Sequence, residues 1–349
     1  MVTPQRPGAE KVTTTPKWVP AAYPDMETLL LDSTDVTEST QIGDVIDAVE
    51  GAFAPYACGD TIMPAKSYIE LPQHNGDFRS MPAYIAAEDW EGAGVKWVNV
   101  HTDNEDLSTV MGTIIYSDPT TGFPLALMDG TDLTRLRTGA AAAIATRYLA
   151  REDATSLGLV GAGVQSYTQL EAIASVRDIR TVVVSDRNEE AIAAFKEAFG
   201  GKFDVRGGSI AEAAACDVVS TVTPVRDPIV HEVGERTHVN AIGADAEGKH
   251  EIANDVLTDA TLVIDDYEQC THSGEINVPW SEGLLGEEDL HGELGDIAAG
   301  DVTGRTDDHG VTVFDSTGLA IQDIATAHAV YEYANEHDIG TPFSLIGTG

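Results

Sequence analysis

The chain offers several groups of residues whose types and spacing could do chemistry. Leu157-Gly158-Leu159-Val160 reads as a strand that runs into Gly161-Ala162-Gly163-Val164-Gln165-Ser166 and then a helix. Glycines at such a turn let backbone approach a ligand closely, and the N–H groups at the helix start face an anion. The turn therefore suits the pyrophosphate of a dinucleotide. Ser166 replaces the usual third glycine with another small residue. Asp186 closes the next strand, where a carboxylate can accept both ribose hydroxyls of NAD. Arg187 follows it and could instead meet a 2′-phosphate, so NADP is the second choice.

A second signal comes from cations in a chain that has few. Against 58 Asp and Glu stand 20 Lys and Arg, a net charge of -38. Between Thr61 and Ala140 the only cations are Lys66, Arg79, Lys96, Arg135 and Arg137, and several have apolar neighbours: Pro64-Ala65-Lys66, Phe78-Arg79-Ser80-Met81-Pro82 and Gly94-Val95-Lys96-Trp97-Val98. A lysine within an apolar strand is unfavourable unless it meets an anion, which implies a pocket for a small carboxylate. The competing reading is that each snorkels to the surface. Leu136-Arg137-Thr138-Gly139 is expected at the start of an alanine-rich helix, where Arg, Thr and free N–H groups suit a phosphate or carboxylate. Plain helix packing would also explain its small residues.

Two further stretches follow strands. In Asn240-Ala241-Ile242-Gly243-Ala244-Asp245, continuing to Lys249 and Glu251, Asp245 is placed as a general base, with a loop-capping Asp as the alternative. Phe314-Asp315-Ser316-Thr317-Gly318 leads into the last helix, and Ser316 is a secondary contact. His101, His272 and Asp265-Asp266 have no ligand spacing, so they read as solvated loops and no metal site is expected.

The elements that must position these residues fall into two rhythms. Up to Ala150, a helix at Ile42 to Val49 precedes short strands at Thr61 to Leu71, Ser80 to Ala86, Gly94 to His101, Val110 to Ser117 and Pro124 to Met128, then a helix from Leu136 to Ala150. From Ser156 strands and helices alternate, as in a doubly wound sheet. The expected fold is α/β: a Rossmann-type dinucleotide-binding domain over 151–315, and an α+β substrate and dimerisation domain over 21–150 and 316–349. Residues 1–20 form a loose extension without the apolar core of a signal peptide.

No run reaches membrane-spanning length, so a cytoplasmic protein is expected. The acidity excludes nucleic acid as a partner. Acids dispersed along the whole chain, with only seven lysines, resemble proteins of salt-saturated cytoplasm, where screening lengths shrink to roughly 3 Å. A halophile is the expected source. Cys58, Cys216 and Cys270 have no pairing or zinc spacing and should be free thiols.

Taken together, Met63 to Lys66, Arg79 to Pro82, Gly94 to Asn99, Arg137 to Ala141, the glycine turn, Gly243 to Glu251 and Phe314 to Gly318 resemble the ornithine cyclodeaminase/μ-crystallin family. Asp129-Gly130 and Ser273-Gly274-Glu275-Ile276-Asn277-Val278 look most like its archaeal alanine dehydrogenase branch. The resemblance implies a homodimer with its active site in an interdomain cleft. It implies Lys66, Lys96 and Arg137 around the substrate, Asp245 as acid/base, and Thr109, Thr138, Gln165, Asp186, Thr223, Lys249 and Ser316 near the dinucleotide.

The expected site is completed by Arg79 and Thr317 for the substrate, and by Arg137, Gly161, Gly163, Val164, Ala241 and Ile242 for NAD. The activity expected is reversible oxidation of L-alanine to pyruvate and ammonia. Ornithine cyclodeamination and ketimine or imino-acid reduction are the alternatives. Lys66 stands where the resemblance implies arginine in ornithine cyclodeaminases, which argues against cyclisation.

Overall fold

The computed structural model describes residues 27–346; the extension expected over residues 1–20 lies outside them. The chain opens with β1 (Thr28–Leu31), α1 (Ser33–Glu38) and α2 (Ile42–Cys58). Strands β2 (Thr61–Ile62), β3 (Ser67–Leu71), β4 (Gly76–Ala86), β5 (Glu91–His101), β6 (Val110–Ser117) and β7 (Pro124–Asp129) follow, and then α3 (Gly130–Leu149). The second half continues with β8 (Ser156–Val160), α4 (Val164–Val176), β9 (Thr181–Ser185), α5 (Glu189–Phe199), β10 (Asp204–Gly207), α6 (Ile210–Ala214) and β11 (Val218–Thr221). It is completed by β12 (His238–Ala241), α7 (Asn254–Asp259), β13 (Thr261–Ile264), α8 (Tyr267–Ser273), α9 (Asn277–Ser281), β14 (Leu290–Glu293), α10 (Leu294–Ala299), β15 (Thr312–Asp315), α11 (Ala320–Glu336) and β16 (Thr341–Phe343).

One sheet has the order β16-β1-β7-β6-β5-β4-β2, with β3 also paired to β4. Its long strands β4, β5 and β6 are antiparallel, with Met81 opposite Lys96 and Lys96 opposite Ile114. Residues opposite one another share a face, and alternation adds Arg79 and Val98 to it. This is the buried face, against which α11 and α3 pack. The opposite face leaves Trp97 and Ile115 partly exposed, with Phe78 stacked on Trp97 at 5.3 Å.

The other sheet, β10-β9-β8-β11-β12-β15-β13-β14, is parallel throughout. Strand order reverses between β8 and β11, so the crevice beyond their carboxyl ends is where a doubly wound sheet takes its ligand. Both the glycine turn and Thr223 lie there.

Two expectations are corrected. The single strand expected over Thr61 to Leu71 is broken into β2 and β3, because Pro64 offers no N–H to a ladder. Lys66 occupies the break. The alanine-rich helix starts at Gly130 and not at Leu136, capped by the Asp129 carboxylate, which accepts from Asp132 N at 2.8 Å. Arg137 and Thr138 are therefore two turns inside α3, where the backbone N–H groups are already bonded. The Thr138 hydroxyl donates to the Thr134 carbonyl at 2.7 Å.

Alanines and Gly139 let α3 lie buried between the two sheets, touching α2, α4, α11, β6 and β12. A Cβ at Gly139 would stand 2.7 Å from the Thr168 carbonyl oxygen of α4. Among the described residues no helix is long and apolar enough to cross a membrane. Gly139→Ala should force α3 and α4 apart and lower stability by about 1–3 kcal/mol, measured by urea unfolding; an unchanged midpoint would show that the contact gives way freely.

Candidate active site

The dinucleotide side is built from backbone. Gly161 has φ +108°, a conformation open to glycine, and its N–H donates to the Ser185 carbonyl at 2.8 Å. A Cβ there would meet Val222 and Thr223 at 3.0–3.2 Å, so the β8 and β11 turns approach as closely as they can. Gly163 faces open space and caps α4 with no side-chain bond, leaving the first N–H groups of a 13-residue helix free for an anion. Asp186 accepts from Ala162 N at 2.7 Å and from Asn188 N at 2.8 Å, which ties the carboxylate to the glycine turn. The Gln165 amide oxygen is buried and has no hydrogen-bond partner among the described residues. These residues fit a bound dinucleotide.

Three cations, Lys66, Lys96 and Arg137, converge near one another. Lys96 Nζ donates to Asp323 Oδ1 at 2.8 Å, and Arg137 Nε donates to the same oxygen at 3.0 Å. The Lys96 and Asp323 side chains are 1% and 0% exposed. Burial, and after it the Arg137 guanidinium, bring the Lys96 ammonium down to about 7 against the opposing pull of Asp323. Lys66 Nζ donates to the Thr317 carbonyl at 2.7 Å. Burial lowers it to about 8, with Asp265 opposing and Arg137 and Arg79 assisting.

Arg79 reaches across between the two sheets. Its guanidinium donates to Asp77 at 2.8 and 3.1 Å and to Asp245 Oδ2 at 2.8 Å, and stands 5.4 Å from the Tyr68 ring centroid. Lys249 Nζ donates to the other Asp245 oxygen. Burial raises the Asp245 carboxyl, but Lys249 and then Arg79 outweigh it and hold Asp245 well below the usual carboxylate range. Asp245 is thus firmly ionised but a weak base while both cations remain. Lys249 meets the substrate-side acid directly, beyond the dinucleotide contact expected of it.

The turn after β15 is knotted to Asp265. That carboxylate accepts from Thr317 N at 2.7 Å, Gly318 N at 2.8 Å, Thr317 Oγ1 at 2.9 Å and Ser316 Oγ at 3.4 Å. Ser316 N donates to the Ala241 carbonyl, and Ile242 N to that of Thr221. Gly318, at φ +75°, lies against the Arg137 guanidinium, where a Cβ would collide with Nη1. The solvated-loop reading of Asp265 is therefore corrected: it is fully buried, because β13 lies in register beside β15 and ends under its turn.

A series of buried carboxylates ties neighbouring loops together. Asp315 accepts from Glu275 N and Ile276 N, and Glu275 accepts from Glu251 N and Ile252 N. Glu251 accepts from Thr223 N, Thr223 Oγ1 and Gly243 N. Burial raises Asp315 to about 7, and burial with the charge of Glu251 raises Glu275 well above its ordinary value.

The structure thus gathers Lys66, Arg79, Lys96, Arg137, Asp245, Lys249, Ser316 and Thr317 in one cluster of linked side chains and turns, and in a second it gathers Thr223 and Asp186 against the turn that holds Gly161, Gly163, Val164 and Gln165. Thr138 faces α4, where its carbonyl accepts from Gln169 at 3.3 Å. Thr109 is exposed at the end of the β5–β6 hairpin, its carbonyl bonded to His101 N. Sequence reasoning missed Asp323. Its signal was present in Ala320-Ile321-Gln322-Asp323-Ile324-Ala325, an acid within an apolar helix.

The family model for the ornithine cyclodeaminase/mu-crystallin family matches residues 26–338. The chain belongs to that family. Alanine dehydrogenase of Archaeoglobus fulgidus is 46% identical over 323 residues, 90% of this chain and 98% of that protein. The structure of an archaeal alanine dehydrogenase dimer with bound NAD superposes with TM-score 0.88 at 44% identity, covering 92% of this chain and 100% of that one. Thermococcus litoralis Delta(1)-pyrroline-2-carboxylate reductase, in complex with NADH and L-proline, gives TM-score 0.87 at 37% identity, with 90% and 99% covered. Within the family these relatives are oxidoreductases, and so is this chain.

Asp323→Asn would leave two buried cations facing one neutral amide. Urea unfolding should show a loss of about 3–5 kcal/mol, and a loss below about 1 kcal/mol would mean that solvent already reaches the pair.

Proposed function

We propose that the chain is an NAD-dependent alanine dehydrogenase, oxidising L-alanine to pyruvate and ammonia and running in reverse as reductive amination. The observation that carries this reading is the convergence of Lys96 and Arg137 on one oxygen of the buried Asp323, with the Lys96 ammonium brought down to about 7 and Gly318 of the turn after β15 lying against Arg137. The 46% identity to an alanine dehydrogenase supports it.

The pyrophosphate rests on Gly161 to Gln165 and the ribose on Asp186, whose negative charge disfavours a 2′-phosphate and so favours NAD over NADP. Ser316 and Thr223 flank the nicotinamide end. A bound nicotinamide supplies the two-electron acceptor.

Arg79, Lys66 and Arg137 receive the substrate carboxylate. Lys96, with proton affinity near neutrality, takes a proton from the substrate ammonium at Nζ, leaving the neutral amine whose α-carbon can be oxidised. Asp245 orients the water that adds to the resulting imine. When Arg79 turns from Asp245 to the substrate carboxylate, Asp245 loses one of its two cations and becomes a better base. Its basicity is thereby coupled to occupancy. The apolar sheet face around Trp97 and Ile115 suits a second copy of the chain, consistent with the dimer named for the archaeal relative.

The second reading is reduction of a cyclic imino acid, favoured by the relative that holds NADH and L-proline. The same cations would seat its carboxylate. A substrate panel in high salt separates the readings. L-alanine with NAD should accumulate NADH, and Lys96→Ala should lose about 10²–10⁴-fold in kcat/KM. Consumption of NADH with pyrroline-2-carboxylate and none produced from alanine would establish the reductase instead. Proline formed from L-ornithine without net NADH would establish the cyclodeaminase.

A further inference from the structure

Among the described residues no carboxylate lies within hydrogen-bond reach of Lys66; its bond goes to the Thr317 carbonyl. What fixes that carbonyl is Asp265, which binds the N–H groups on both sides of it, Thr317 N and Gly318 N, together with the Thr317 hydroxyl. Ser316 N is bonded to the Ala241 carbonyl, so the turn is held from the β12 side as well. The far end of the turn, Gly318, packs on Arg137. One buried carboxylate therefore shapes a turn that touches both Lys66 and Arg137.

We propose that Asp265 is a positioning residue for substrate binding: through the Ser316–Gly318 turn it places Lys66 and seats Arg137, and its charge keeps Lys66 protonated to receive the substrate carboxylate. This rests on the reading of the cleft as an amino-acid or imino-acid site. The charged groups facing Lys66 are Asp265 beyond β13, Arg137 on α3, Arg79 on β4, Asp245 beyond β12, and Lys96 on β5. Three of these five are cations that push its proton off, and Asp265 is the stronger of the two acids that hold it. Loss of the Asp265 charge alone should thus deprotonate Lys66 at a lower pH.

Asp265→Asn keeps the side chain's shape and removes that charge. The first readout needs no substrate: the pH dependence of Lys66 modification by an amine-reactive reagent, followed by mass spectrometry. The wild-type midpoint near pH 8 should fall by about one pH unit or more. The second readout is steady-state. The amino-acid KM should rise with pH earlier in Asp265→Asn than in wild type, and by a larger factor than any change in kcat or in the dinucleotide KM. Adding Lys66→Arg, which cannot deprotonate, should bring the KM at high pH back down.

An unchanged Lys66 midpoint in folded Asp265→Asn would overturn the proposal, as would loss of thermal stability with an unaltered KM profile. If wild type turns over no amino or imino acid, the functional reading fails while the labelling experiment still decides the role of Asp265. If Asp265→Asn does not fold, Thr317→Val removes only the hydroxyl bond to Asp265. It should raise the amino-acid KM several-fold at constant dinucleotide KM, and an unchanged KM in that variant would equally overturn the proposal.

Discussion

Two cations share one carboxylate oxygen where water does not reach. Lys96 and Arg137 come from different elements, β5 and α3, and Asp323 joins them from a third, α11. Neither cation could be buried alone, because an uncompensated charge in that environment costs several kcal/mol. Burial first, and then the Arg137 charge that the single acid does not fully offset, make Lys96 hold its proton weakly. The same shortage of negative charge that makes the cluster poor as a structural salt bridge leaves it with excess positive charge, which is what the proposed substrate-carboxylate site requires.

The surrounding acids serve a different end. Asp265, Glu251, Glu275 and Asp315 spend their oxygens on backbone N–H groups of loops at the carboxyl edge of the parallel sheet. Loops in that position must be shaped without help from a strand partner, and a carboxylate that accepts several N–H bonds fixes a turn more firmly than a neutral acceptor does. The loops at Thr223, Gly243 and Glu251, the Glu275–Ile276 segment and the turn after β15 thereby share one network. Asp245 differs: its oxygens go to the side chains of Arg79 and Lys249 and to no backbone N–H.

Much of the fold was legible because its signals are local. The strand-to-turn-to-helix pattern at Gly161, the carboxylate closing the next strand and the alternation of elements after Ser156 all follow from periodicity and turn chemistry. Lys66, Lys96 and Arg137 were legible for a different reason: cations are scarce here, so one in an apolar stretch stands out. The acids that complete the site were not. Among 58 acidic residues, Asp323 and Asp265 carry no distinguishing mark except the apolar residues around them, and Glu251 and Glu275 lack even a strand or helix setting. The start of α3 was misplaced because its alanine run is conspicuous while the Asp129 cap lies eleven residues ahead of it. Pairings between distant elements, such as Thr317 with Lys66, are set by tertiary register and leave no trace in neighbouring sequence.

The proton affinity of Lys96 is the quantity on which the cleft's chemistry turns, and it can be read directly. A chain with seven lysines gives a small set of side-chain signals when lysine is isotopically labelled at Cε. Followed by NMR against pH in the folded protein, and assigned by Lys96→Arg, one of these signals should titrate near pH 7. A Lys96 signal that stays in the protonated position past pH 10 would contradict a proton-exchanging role, and would leave the residue as a fixed charge paired with Asp323.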